Sequence, residues 1–333
     1  MQKNLDVFCV FYNLNLIKRW ILLKICIVGA GALGSTIGGV LAESGSEVYL
    51  INRREEVVDA INKNGLMLRN GKTDRVVAVQ ARTSCAGIGA VDLVIVLVKS
   101  FHTKQAIENA RDVIGENTIV LSLQNGLGNE EVIAEIVGEE RVIAGKTYVG
   151  GVVLGPGHVQ ATTKGKQTYI GELDGRITER VKRVAKVFDR AGLLTTVTSN
   201  IIGIIWDKLL INAATGPLSG ITRLPYGGLY KVPEIKEAAF AAVLEGISVA
   251  KAHGVSLDTE DPETIWWKAA EGLPDEFKTS LLQSIEKGSE TEIDYINGAI
   301  VRWGEKRNIS TPVNKTLVAN IKGIEYALQY CEE

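Results

Sequence analysis

The 333 residues of the chain exceed the usual length of one compact domain, so two domains are expected. With 37 basic and 39 acidic side chains spread along the sequence and a formal net charge of −2, there is no basic footprint for nucleic acid. Cys9, Cys26, Cys85 and Cys331 show no CxxC spacing, and His102, His158 and His253 fall in no ligand pattern. A zinc knuckle, a disulfide framework and a bound metal are therefore not expected, and a reducing cytoplasm fits.

In chain order, residues 1–23 are apolar enough to raise a signal peptide or an anchor. Asn13, Asn15, Lys18, Arg19 and Lys24 interrupt the apolar runs, and no small-residue cleavage site follows. The segment reads as an N-terminal extension of unknown role, or as a start codon placed too early, and no membrane partner is expected. From Lys24 the sequence alternates strand and helix: ICIVG, a glycine turn, a helix to Ser44, the strand EVYLI and a helix through Ile61. DLVIVLV at 92–98 and TIVLSL at 118–123 are nearly all apolar, as parallel strands covered on both faces are. Short strands and glycine turns between about 142 and 198 predict hairpins closing the first domain. Beyond Ser199 the stretches NIIGIIWDKLLINAA, PEIKEAAFAAVLEGISVAKAHG and TEIDYINGAIVRWGEKRN predict long helices, the second with Pro233 near its start and Gly254 past its end. The expected fold is α/β, an N-terminal Rossmann-like doubly wound sheet over 24–198 followed by an all-helical C-terminal domain over 199–333. The apolar helices of the second domain suit its own core or a homodimer contact.

The sequence GAGALG, comprising Gly29, Ala30, Gly31, Ala32, Leu33 and Gly34, matches GxGxxG directly after an apolar strand and before a helix. That context makes it a dinucleotide-binding turn: Gly29 for the tight turn, Gly31 for approach to a pyrophosphate, Gly34 for helix-on-strand packing. A helix N-terminus there supplies N–H groups and a positive dipole end. The second strand ends in LINRREE, with no acidic residue immediately after it to receive a ribose 2′-hydroxyl. Arg53, beside Asn52 and Arg54, can instead pair with a 2′-phosphate, which favours NADP(H). The alternative is that Arg53 and Arg54 are a solvated helix start offset by Glu55 and Glu56.

Lys99 and Asn125 close apolar strands at the end where open α/β sheets bind ligands, although a snorkelling lysine and an Asn-Gly turn explain them as well. Lys208 and Asn212 share one face of a helix apolar on nearly every side. A lysine buried there needs a partner or a function, and desolvation suits it to donate a proton. An exposed lysine beside Asp207 is the alternative. Ser289 and Glu292 form SETE, the capping-box spacing, so position alone favours a helix cap for Glu292.

Together GAGALG, Arg53, LVKSF, QNGLG, WDKLLIN, TSLLQ and TEIDYING resemble the ketopantoate reductase (2-dehydropantoate 2-reductase) family from Lys24 to the last helix. The resemblance implies that NADPH reduces a small 2-oxo acid, with Lys208 protonating the developing alkoxide. It also implies that Asn125 contacts cofactor and substrate, that Lys99 lies beside them, that Asn212 and Ser280 bind substrate, and that Glu292 contacts the cofactor near its nicotinamide ribose. Two positions depart from the family pattern: Gly216 and Tyr226 stand where asparagines are usual. The expected reaction is ketopantoate to pantoate in pantothenate biosynthesis, with another branched or bulkier 2-oxo acid as the rival substrate. A non-catalytic NADP(H)-binding sensor is the alternative of a different class.

Overall fold

The computed structural model describes residues 22–330, which fall into two compact units: 22–124 with 129–201, and 125–128 with 202–330. Of the N-terminal extension, residues 1–21 lie outside the described residues. Leu23, grouped with that extension on sequence, is a core residue, and its carbonyl accepts from Glu47 N at 3.0 Å.

In the first unit β1 (Lys24–Val28), α1 (Ala32–Glu43) and β2 (Glu47–Ile51) form the expected βαβ unit. After α2 (Glu55–Asn64), β3 (Leu66–Asn70) and β4 (Thr73–Val77) make a hairpin before β5 (Gln80–Arg82). Then come β6 (Leu93–Val96), α3 (Thr103–Glu108), β7 (Ile119–Ser122), α4 (Asn129–Val137) and β8 (Val142–Thr147). They are followed by β9 (Gly150–Gly155), β10 (His158–Thr162), β11 (Thr168–Gly171), α5 (Glu179–Arg190) and β12 (Thr195–Val197). The main sheet runs β12-β11-β8-β7-β6-β1-β2-β5, parallel from β8 to β5, with β11 antiparallel to β8. Growth reverses direction between β1 and β6, the switch point that opens a ligand crevice at the strands' carboxyl ends.

The apolar runs are explained by cover on both faces. Ile25 and Ile27 of β1 join the core that includes Ile37, Leu41, Val184 and Phe188, while Cys26 and Val28 join the opposite core with Ile107 and Ile133. Each such fully buried aliphatic side chain contributes roughly 1.5–3 kcal/mol.

The expectation for 142–198 needs correction. Only β9 and β10 form a hairpin there; β8 and β11 enter the main sheet, and α5 intervenes before β12. Val181, Val184, Ala185 and Phe188 recur at helical spacing and are buried, and Thr178 caps the helix by accepting from Val181 N. The β3–β4 hairpin, turning through Gly71-Lys72 with Gly71 at φ +59°, is not among the expected elements; β3 pairs in parallel with β10 to make a second sheet, β4-β3-β10-β9. That sheet covers α1. A Cβ on Gly39 would lie 2.8 Å from Leu66 and Leu68 side-chain carbons, and one on Gly151 would lie 2.6 Å from Thr36 Oγ1.

The second unit is helical, as expected: α6 (Ile201–Thr222), α7 (Tyr226–Leu229), α8 (Pro233–Ala252), α9 (Pro262–Ala270), α10 (Ser280–Glu286), α11 (Asn297–Lys306) and α12 (Pro312–Tyr330). α6 is long and apolar enough to cross a membrane by composition, but 67% of its apolar stretch is buried, which marks a core helix. Pro217 inside α6 has no N–H for the Ala213 carbonyl four residues back. Asn297 Nδ2 donates to that carbonyl instead (3.2 Å) and to Asn314 Oδ1 (2.9 Å). Asn314 Nδ2 in turn donates to Ala242 O and Glu245 Oε2, so one buried polar network ties α6, α8, α11 and α12.

The helix expected over TEIDYINGAIVRWGEKRN is interrupted. A 3-10 turn, Ile293–Tyr295, ends in a bend at Ile296 (φ −107°, ψ −94°), and regular helix begins only at Asn297. Thr291 diverts the backbone: its hydroxyl accepts from Ile293 N while its own N–H is bonded to Glu325.

Candidate functional site

The candidate residues of the first unit converge on the carboxyl ends of β1, β2 and β6. Gly29 has φ +102°, and a Cβ on it would come 2.6 Å from Val98 N, so only glycine lets this turn lie against the segment leading to Lys99. Gly29 N and Ala30 N both donate to Ile51 O, and Asn52 Nδ2 donates to Ala30 O at 2.7 Å. Asn52, named on sequence without a role, is thus the strut between the glycine turn and the end of β2. Gly34 is sterically required: its Cβ would sit 2.3 Å from Gly29 O. Gly31 differs, for a Cβ there would meet nothing within 4 Å. It is the exposed N-cap of α1, which has no side-chain cap and no acidic residue in its first turn. Open space, uncapped N–H groups and the dipole end together fit a pyrophosphate approaching along the backbone of Ala32, Leu33 and Gly34.

Past β2 the two arginines differ. Arg54 pairs with Glu56 at 3.4 Å, both largely exposed. Arg53 is exposed, its Nη2 standing 3.3 Å from His102 Nε2. His102 closes the 3-10 turn Ser100–His102 that Lys99 caps. Lys99 is exposed. Behind it, Gln124 Nε2 donates to Val98 O (2.9 Å) and Thr103 Oγ1 (2.8 Å), fixing the ends of β6 and β7 together.

In the second unit Lys208 and Asn212 lie on α6 and are partly buried, Lys208 less deeply than expected. The Asp207 carboxylate accepts from Asp258 N at 3.1 Å, and burial raises its pKa. The polar stripe continues beyond Asn212. Thr215 and Ser219 follow Lys208 at i+7 and i+11 on the same face, both buried. Thr215 Oγ1 stands 3.4 Å from the hydroxyl of buried Tyr226, and Tyr226 N donates to Phe277 O. Its ring lies 6.2 Å from Phe277 and 6.3 Å from Tyr230, and burial raises its hydroxyl pKa. A Cβ on Gly216 would be 3.7 Å from Leu281, the neighbour of Ser280 on α10, so Gly216 leaves room for ordinary contact only. Ser280 itself is the exposed first residue of α10, whose cap is Thr279.

Glu292 is 7% exposed and stands at the start of the 3-10 turn, with no side-chain cap bond. The capping box does not form: Ser289 Oγ donates to Ser284 O instead. Position had favoured the cap; the helix it would have capped begins five residues later. The turn Asn125–Gly128 belongs by its contacts to this unit, where Leu127 N donates to Tyr295 O at 2.9 Å and a Cβ on Gly126 would lie 2.5 Å from that oxygen. Asn125 and the Glu292 segment are thereby joined. Among the described residues, no group of three or more His, Cys, Asp or Glu side chains could hold a metal ion.

Comparison with known proteins follows the same division. The family model described as ketopantoate reductase PanE/ApbA matches residues 25–175, and its C-terminal counterpart matches 200–325. The 2-dehydropantoate 2-reductase of Pyrococcus horikoshii is 39% identical over 91% of this chain and 98% of its own. Among solved structures, a PanE/ApbA family ketopantoate reductase from Ralstonia eutropha superposes with a TM-score of 0.84 at 35% identity, covering 92% of this chain and 99% of its own. D-mandelate dehydrogenase, solved with NADH and anilino(oxo)acetate, superposes at 0.85 with 28% identity and the same coverage. With both halves of the fold matched over nearly their whole length, the chain belongs to the ketopantoate reductase family of oxidoreductases.

Proposed function

We propose that the protein is an NADPH-dependent reductase of a small 2-oxo acid, with ketopantoate as substrate and pantoate as product. The observation that carries this reading is the polar stripe Lys208, Asn212, Thr215 and Ser219 on a helix otherwise committed to the core. A partly buried lysine one turn from Asn212, in line with the buried hydroxyls of Thr215 and Ser219, supports a chemical role.

The residues of the first unit fit the cofactor. Gly29–Gly34 would hold its pyrophosphate, and Arg53 its 2′-phosphate, on the grounds that Arg54 rather than Arg53 is paired with Glu56. Lys99, Asn125 and Glu292 would contact the nicotinamide half. When bound, the dinucleotide supplies a hydride to the 2-oxo carbon. Lys208 donates the proton that the carbonyl oxygen takes up, and its positive charge stabilises that oxygen as negative charge develops. Asn212, one turn along the same face, orients the substrate, with Ser280 and Asn125 as further donors. Pathway membership in pantothenate synthesis, a cytoplasmic location and a homodimer belong to the same proposal.

A second substrate reading has its own observation. Gly216 and the aromatic cluster around Tyr226 present fewer amide groups than the family pattern, and a solved relative carries an aryl-substituted oxo acid analogue. Under that reading a bulkier, more apolar 2-oxo acid has the higher kcat/KM.

Lys208→Ala tests the mechanism. Turnover is expected to fall about 10²–10⁴-fold while NADPH affinity stays within about twofold. Undiminished turnover would remove Lys208 as the proton donor.

A further inference from the structure

We propose that Glu325 and Lys322, on the last helix, are positioning residues for the cofactor contacts Glu292 and Asn125; the inference rests on the reductase reading. Glu325 Oε1 accepts from both Thr291 N (2.8 Å) and Thr291 Oγ1 (2.6 Å). Lys322 Nζ bonds to Asp294 Oδ2 (2.7 Å) and to Glu325 Oε2 (3.1 Å), and the Glu325 side chain is only 10% exposed. Glu292 is therefore bracketed: the residue before it is held by Glu325, and the residue two beyond it by Lys322. Arg302 Nη1 adds a bond to the Asp294 carbonyl at 2.7 Å.

This bracket does more than close a loop. The segment from Thr291 to Ile296 is not regular helix: its backbone bonds, from Tyr295 N and Ile296 N to Glu292 O, close one short turn, and Thr291 and Asp294 on either side of Glu292 are held from α12 and α11. Glu325, its side chain 10% exposed, and Lys322, 42% exposed, place three bonds on Thr291 and Asp294 and so hold the turn in one arrangement. Tyr295, at the far end of the turn, passes that arrangement on. Its carbonyl receives Leu127 N, and Gly126 is pressed so close that no other residue fits, so the loop bearing Asn125 takes its position from the same segment. One strut on α12 thereby sets two contacts to the nicotinamide half of the cofactor. No periodicity or motif connects residue 325 to residue 292.

The test is a double-variant cycle read by direct NADPH titration, with thermal unfolding to confirm that each variant folds. Glu325→Ala is expected to weaken NADPH binding about tenfold, Glu292→Ala at least as much, and the double variant no more than Glu292→Ala alone. Thr291→Ser keeps the hydroxyl and should bind like the wild type, whereas Thr291→Val should weaken binding several-fold. KM for NADPH should rise in Glu325→Ala with kcat falling less. Losses that add in the double variant, or NADPH affinity unchanged in a folded Glu325→Ala, overturn the positioning role while leaving the reductase reading standing. A wild-type protein that binds no NADPH overturns that reading, and this inference with it.

Discussion

Arg53 and Arg54 are adjacent, chemically identical and engaged differently, and the cofactor reading turns on that difference. Arg54 already has Glu56, while Arg53 extends past the end of β2 beside His102. Arg53→Ala is therefore expected to weaken NADPH by roughly 10–100-fold, the loss of one charge-assisted contact, and NADH by no more than about twofold. Titration with both nucleotides checks it, and equal losses would contradict a 2′-phosphate contact. At this scale the sequence was informative wherever chemistry is local. GxGxxG after a strand, and Lys208 four residues from Asn212, are short-range patterns that the fold keeps. What it hid were contacts made across turns. Tyr226 meets Thr215 only because the chain reverses after α6, and no spacing rule joins them. Glu292 was misleading for the opposite reason: SETE is a good local signal, but Thr291 has stronger partners on a distant helix.

At the scale of elements, the best-read parts were those with unbroken apolar runs, because burial on both faces leaves no alternative to a central parallel strand. The least legible were α5 and the β3–β4 hairpin. Both carried signals, a helical apolar stripe and a turn glycine, but their partners lie far away in sequence: β3 finds β10 some ninety residues on. α6 also shows how one element depends on others. Its Pro217 leaves the Ala213 carbonyl to Asn297, next to Asn212 and within the stretch that carries Lys208. Asn297→Leu removes that donor and the one given to Asn314, and should destabilise the protein by about 2–4 kcal/mol in urea unfolding. A change under about 0.5 kcal/mol would mean that the proline break needs no side-chain repair.

For the whole molecule, two units were legible in the switch from strand–helix alternation to long helices. The second sheet was not, because its four strands come from two separate insertions. Stability should also carry a pH signature from the first unit. Glu130, in the first turn of α4, is buried, and burial pushes its carboxyl up to about 7, with Glu131 adding to the rise and Ser122 and Lys146 opposing it. An unfolded glutamate ionises near 4.3. Between those values the folded state holds the extra proton, so this group's contribution is full below about pH 4 and is lost as pH rises through about 7. Glu130→Gln should match the wild type near pH 4 and exceed it by up to about 3 kcal/mol at pH 8. Parallel curves of Tm against pH for the two proteins would contradict this.

The central proposal is reduction of a 2-oxo acid by NADPH, with Arg53 proposed as the 2′-phosphate contact and Lys208 as the proton donor. The most direct measurement follows NADPH consumption together with 2-hydroxy acid formation over a panel of 2-oxo acids that includes ketopantoate and an aryl oxo acid. One product formed per NADPH consumed, with NADPH preferred to NADH, is the expected result. Tight NADPH binding with no reduction of any 2-oxo acid would contradict it.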